Sequence, residues 1–266
     1  MRVDPSNAEA LRSWNGDDGE RWVEYDDIFD GCLARYNRAL LENLEPADRV
    51  LDVGCGTGSI TRAAARRAKS AVGIDISSRM LALAEHRAKG EGVDNVRFVH
   101  GDAQVHDFEP DSFDAVVSRA GVMFFGDPVA AFMNLRRALR PTKRLTALVW
   151  QSLAENEWMA ELMRLVNGPT EIRTGAYSLA DPAQIQSLLA AAGFTAATVT
   201  GMREPISFGA DPERAYHFFA GLGPVRAALN GPDRDLEARL HTLLDAHTGH
   251  DGVLFGSAMW LVTARP

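Results

Sequence analysis

Three glycines, Gly54, Gly56 and Gly58, close the run RVLDVGCGTG at residues 49–58. A turn this rich in glycine bends tightly and lets a ligand lie against bare backbone, because no Cβ stands in the way. Asp75 follows 21 residues after Gly54, at the end of the next apolar run. A carboxylate there can accept hydrogen bonds from ribose hydroxyls, and it would repel a 2′-phosphate. Asp102 ends a third run; it is placed to accept from an adenine amino group, with Ala103 leaving room for the ring. Each feature also has a plainer use. A glycine turn can be only a turn, a strand-end Asp often faces solvent, and Gly101-Asp102 alone makes a bend.

Elements of a definite kind must hold these residues. Val50, Leu51 and Val53 form a short strand-like run, and residues 59–68 have helical composition. Strand, glycine turn and helix in that order form the first unit of a nucleotide-binding α/β domain. Residues 71–75 predict a second strand, and Ser77 or Ser78 caps a helix running to about Lys89. Further strands are predicted at 96–100, 113–118, 145–150, 195–200 and 258–264, with Asp127-Pro128 opening a helix to about Arg140. Residues 28–44 carry apolar positions at helical spacing. Continuous apolar strands alternating with helices predict a doubly wound, mostly parallel sheet covered on both faces. The strand C-termini of such a sheet open on one edge, so the glycine turn, Asp75 and Asp102 become walls of one crevice.

Composition narrows the partners. At 266 residues and 46% apolar content, the chain can bury a full α/β core. A net charge of −8 argues against non-specific attraction to nucleic acid or an anionic membrane. There is no apolar run of about 18 residues, and the polar start MRVDPSNAEA does not resemble a signal peptide. The two cysteines, Cys32 and Cys55, give no disulfide framework. A cytoplasmic chain without nucleic-acid or membrane partners is expected, and a homodimer is compatible with it.

In order, DVGCGTG, GIDIS, Gly101-Asp102-Ala103 and FDAVVSRAGVMFF resemble the class I S-adenosylmethionine-dependent methyltransferases. Within them, the match is to the small-molecule group that includes the ubiquinone and menaquinone biosynthesis enzymes. The resemblance spans roughly residues 45–200. It implies S-adenosylmethionine as cofactor and a Rossmann-like, seven-stranded sheet whose last strand is antiparallel and inserted beside the fifth. It implies further that Gly54, Cys55, Gly56 and Gly58 pass under the methionine part and that Asp75 holds the ribose. Ile76 and Met80 would pack on the adenine, Asp102 and Ala103 would bound its other edge, and Arg119 would line the methionine moiety. A dinucleotide dehydrogenase would want a glycine at position 59, which is Ser59 here. The loop SRAGVMFF stands where base and amide methyltransferases resemble one another in (N/D)PPY. An apolar loop there suits a flat, greasy small acceptor, with Met123, Phe124 and Phe125 as its contacts.

Methyl transfer needs nucleophile, methyl carbon and sulfur in line, and water kept out. A hydroxyl acceptor gains from a general base. His217 is the best-placed candidate, although a helical His beside Tyr216, Phe218 and Phe219 is more commonly a packed or surface residue. His241, His247, His250 and Asp251 match no standard zinc spacing, so no metal is expected. Trp14, Trp22 and Tyr25 suit a lid, with Trp22 reaching the cofactor. The expected organisation is a lid at 1–44, the cofactor-binding core at 45–204, a helical cap at 205–255 and a final core strand at 256–266. The expected activity is O-methylation of an aromatic or polyketide-like metabolite of secondary metabolism. Carbon or nitrogen methylation and a non-catalytic cofactor-binding module are the alternatives.

Overall fold

The computed structural model describes residues 1–266. Four short helices come first: α1 (Ala8–Asn15), α2 (Asp17–Glu24), α3 (Asp26–Leu33) and α4 (Asn37–Leu41). Then β1 (Arg49–Val53), α5 (Ser59–Ala65), β2 (Ser70–Asp75), α6 (Ser78–Gly90), β3 (Val96–His100) and β4 (Phe113–Arg119) alternate. They are followed by α7 (Pro128–Ala138), β5 (Leu139–Trp150), α8 (Glu157–Leu165), α9 (Pro182–Ala191) and β6 (Thr195–Ser207). The chain ends with α10 (Pro212–Ala220), α11 (Gly223–Leu229), α12 (Leu236–Ala246), β7 (Thr248–Gly249) and β8 (Gly252–Arg265).

The strands lie in the order β3-β2-β1-β4-β5-β8-β6, with the two-residue β7 beside β8. β1 to β5 pair in parallel, and β8 runs antiparallel between β5 and β6. That is the doubly wound sheet the strand–helix alternation predicts, with the seven strands and inserted antiparallel last strand that the family resemblance implies. Val50, Leu51 and Val53 on the central strand are fully buried, as an apolar run covered on both faces must be. Helix starts follow local chemistry. Ser77 Oγ accepts the Met80 N–H at 3.3 Å, and Asp127 Oδ1 accepts that of Ala130 at 3.0 Å ahead of Pro128. Asp181-Pro182 and Asp211-Pro212 open α9 and α10 in the same way.

The structure corrects several boundaries. The helix predicted over 28–44 is two pieces, α3 and α4, joined by a 3-10 turn at Ala34–Tyr36. The buried Tyr36 hydroxyl is fixed there by Ser257 Oγ at 2.7 Å and by the Glu204 N–H at 3.1 Å. β6 continues past 200 to Ser207, and β8 begins at Gly252, before the predicted 258. The sheet therefore takes residues from both ends of the segment 205–255 expected as the cap. No helix is long and apolar enough to cross a membrane.

Candidate functional site

A solvent-open cleft lies at the C-terminal edge of β1, β2 and β4. Its floor is backbone. A Cβ on Gly54 (φ +66) would stand 2.8 Å from the Gly121 Cα, so the loops after β1 and β4 cross with no side chain between them. Ala120, beside Gly121, holds φ +58, a left-handed conformation that costs a non-glycine residue about 1 kcal/mol or more. Gly56 (φ +54) differs from Gly54: its missing Cβ has only Met80 Sδ and Trp22 Nε1 near it, each at 3.7 Å. That face of the turn is left bare to whatever enters.

Three charged residues border the cleft. At the end of β2, Asp75 Oδ2 accepts the Gly56 N–H at 2.7 Å and Oδ1 accepts the Ser77 N–H at 2.8 Å. Each oxygen keeps acceptor capacity for one more donor, which two adjacent hydroxyls can use. Burial raises the Asp75 carboxyl above its ordinary range, opposed by the Ser77 and Gly56 N–H groups. Asp102 takes the Gln104 N–H at 2.9 Å on Oδ1 and the Asp4 N–H at 2.9 Å on Oδ2. Arg119, ending β4, donates to Asn37 Oδ1 at 3.0 Å and pairs with Asp30 of α3. The roof is aromatic. Trp14 sets an edge on Trp22 (5.8 Å between centroids) and on Phe124 (5.1 Å), while Trp22 stacks on Phe29 at 3.8 Å. Asn15 pins this roof to the loop after β2, donating to the Ile76 carbonyl at 2.9 Å.

Of the fifteen residues expected to contact cofactor or acceptor or to act as base, eleven border the cleft: Trp22, Gly54, Gly56, Asp75, Ile76, Met80, Asp102, Ala103, Arg119, Phe124 and Phe125. Four do not. Cys55 turns under the sheet against Gly73, where burial raises its thiol. Gly58 faces Phe98 and Ala84, so its role is packing. Met123 is buried behind the loop. His217 is the larger correction. Phe218 and Phe219 take the inner side of α10, leaving His217 with a side chain 61% exposed and 3.4 Å from Glu213. It borders no part of the cleft and cannot serve there as a base. The three histidines after it are separately engaged: His241 stacks on Tyr216, His247 on Phe255, and His250 contacts Asp251. No group of three His, Cys, Asp or Glu side chains is arranged to hold a metal ion.

Sequence reasoning passed over Asn7, Asn15, Gly121 and Asp52. Only Asp52 carried a signal, a charge inside an apolar strand. It is 1% exposed, receives the Thr61 hydroxyl at 2.6 Å, and burial pushes its carboxyl up to about 6. The folded chain thus holds this proton more tightly than the unfolded chain, whose carboxyl titrates near pH 4. Stability should fall as pH rises between those two values and level off above them. Asp52→Asn keeps an acceptor for Thr61 and is expected to be more stable by about 1–2 kcal/mol at pH 7. Urea unfolding at pH 4.5 and 7 checks this; a variant that is no more stable at pH 7 would show the buried charge to be costless.

Residues 50–142 match a family model described as a methyltransferase domain. An uncharacterized protein of Mycobacterium tuberculosis is 34% identical over 105 residues, 40% of this chain and 38% of that protein. Demethylmenaquinone methyltransferase of Thermus thermophilus is 30% identical over 184 residues, 62% of this chain and 83% of that one. The chain thus spans well under half the length of the mycobacterial relative but most of the Thermus one. Among solved structures, YcgJ of Bacillus subtilis superposes with a TM-score of 0.59 at 21% identity, covering 88% of this chain and 97% of that chain.

Proposed function

The chain belongs to the class I S-adenosylmethionine-dependent methyltransferases, and on that premise we propose that it transfers a methyl group to a small, flat, apolar acceptor. The observation that carries the cofactor site is the pairing of Gly56, open toward the cleft, with an Asp75 carboxylate that has one free acceptor position on each oxygen. The first admits a ligand against backbone, and the second suits vicinal ribose hydroxyls. When bound, S-adenosylmethionine supplies a methyl carbon activated by its sulfonium. Ile76, Met80 and Ala103 offer an apolar slot for the adenine, and Arg119 offers a cation to the methionine carboxylate. Trp14, Trp22 and Phe124 exclude water from the methyl end. We assign residues 1–44 as the lid on the strength of this roof, and the helices between β6 and β7 as a cap over the acceptor.

The acceptor must bring its own acidity. The only titratable side chains bordering the cleft are Asp75, Asp102 and Arg119, and both carboxylates are engaged at the adenosine end. An acidic enol or phenol, methylated at oxygen as its anion, fits that environment first. Carbon methylation of an electron-rich ring is the second reading, favoured by the likeness to a demethylmenaquinone methyltransferase. Both cysteines are buried and unpaired, which supports a reducing cytoplasm.

The test is titration calorimetry with S-adenosylhomocysteine and with NAD. Micromolar or tighter binding of the first and none of the second is expected. Phenols, enols and quinols would then be screened for a gain of one methyl by mass spectrometry. No binding of S-adenosylhomocysteine at high concentration would overturn the proposal.

A further inference from the structure

Asn7 precedes α1 and is 2% exposed, yet it borders the cleft. Its Nδ2 donates to Asp102 Oδ1 at 2.9 Å, to Asp102 Oδ2 at 3.0 Å and to Gln104 Oε1 at 3.1 Å. Its Oδ1 accepts the Gly126 N–H at 2.7 Å. Neighbours reinforce both ends. The Asp4 N–H joins Asp102, the Asp127 N–H donates to Gln104 Oε1 at 3.1 Å, and Gln104 Nε2 donates to Ser6 Oγ at 3.1 Å. A Cβ on Gly126 would lie 2.3 Å from the Ser6 carbonyl oxygen, so the two backbones are in direct contact.

One amide therefore joins two walls. Asp102 bounds the end of the cleft next to Ala103, while Gly126 immediately follows Phe124 and Phe125 of the aromatic wall. An amide has four hydrogen-bonding positions, and Asn7 commits both donors and one acceptor position to partners on separate loops. Because the second Asn7 amide hydrogen goes to Gln104, one hydrogen is shared between both Asp102 oxygens. With the Gln104 and Asp4 N–H groups that makes three donors, which fix the plane of the carboxylate and leave one acceptor position for a donor from the cleft. We propose that Asn7 is a positioning residue that aims Asp102 at the 6-amino group of the adenine and, through Gly126, sets the aromatic loop in the same step. The inference rests on the ligand assigned above. It makes cofactor binding and acceptor-loop order a single event.

A base with oxygen in place of the 6-amino group presents an acceptor to the carboxylate and should be rejected. Calorimetry with S-adenosylhomocysteine and S-inosylhomocysteine, on the full chain, reads this directly. The wild type is expected to prefer the adenosyl ligand. Asn7→Ala should bind it about tenfold more weakly and lose about tenfold of the preference, the effect of one charge-assisted hydrogen bond. A merely structural role would weaken both ligands in parallel and leave their ratio unmoved. In hydrogen exchange, S-adenosylhomocysteine should protect residues 120–127 in the wild type and not in Asn7→Ala. If Asn7→Ala does not fold, Gly126→Ala pushes the Ser6–Asn7 segment away and so loosens the hold of Asn7 on Asp102 with both side chains retained, and a fall in the same preference is required of it. An unchanged ratio with wild-type protection of the loop overturns the inference. A wild type that binds neither ligand overturns the cofactor assignment instead, and this inference with it.

Discussion

Asp75→Ala is expected to weaken binding of S-adenosylhomocysteine by about 100- to 10,000-fold while leaving the chain folded. Each free position on the carboxylate would accept one ribose hydroxyl, and a hydrogen bond to a charged group contributes about 1.5–3 kcal/mol. Losing two corresponds to that range of dissociation constants. The fold should survive because two effects oppose each other. Removing the side chain leaves the Gly56 and Ser77 N–H groups without their acceptor. It also relieves the cost of holding a buried carboxylate, the cost that already raises this group above its ordinary range. Asp75→Asn keeps one acceptor oxygen but sets an amide N–H against one of the two backbone donors, so it should fall between. Calorimetry, with thermal unfolding as the control for folding, measures both. A loss of less than about fivefold in Asp75→Ala is under 1 kcal/mol and would remove Asp75 from the ribose site.

The parts of this architecture legible in the sequence are those with local causes. β1, β2 and β4 are mostly apolar runs, the first followed by a glycine and the second ending in an acid, and a parallel sheet brings their ends to one edge without further information. The boundaries that moved were set by distant partners. β6 runs through Gly201 and Pro205, both signals to stop, because β8 pairs with it as far as Ser207 and Leu254. Pro205 is tolerated there because β6 is an edge strand, where a missing N–H breaks no ladder. His217 drew attention through its place in the long connection before the last strand, where the family resemblance puts an acceptor cap, but the turn of α10 sends Phe218 and Phe219 inward and leaves the histidine out. Asn7 gave no signal at all. Its partners are 95 residues away at Asp102 and 119 away at Gly126, and an isolated asparagine has no periodicity to betray what it holds.

Gly58→Ala and Gly56→Ala, two residues apart in the same turn, are expected to fail in different ways. At Gly58 (φ +76) a Cβ would meet Phe98 at 2.7 Å and Ala84 at 2.9 Å. The left-handed backbone costs an alanine about 1–2 kcal/mol, and the overpacking about 1–3 kcal/mol more. For a chain of this length, that lowers the unfolding midpoint by about 5–15 °C. Ligand affinity should change little in the molecules that remain folded, since the new methyl faces α6 and β3 and not the cleft. Gly56→Ala carries the same backbone cost but meets nothing closer than 3.7 Å, so its midpoint should drop by only about 2–6 °C. Its methyl, however, stands on the bare face against which the ligand would lie, and S-adenosylhomocysteine should bind at least about tenfold more weakly. Scanning calorimetry and ligand titration on the two variants separate packing from binding within one loop. If Gly56→Ala bound the ligand like the wild type, the open face of that glycine would not be the floor of the site, and the cleft would have to hold its ligand against Trp22 and Arg119 instead.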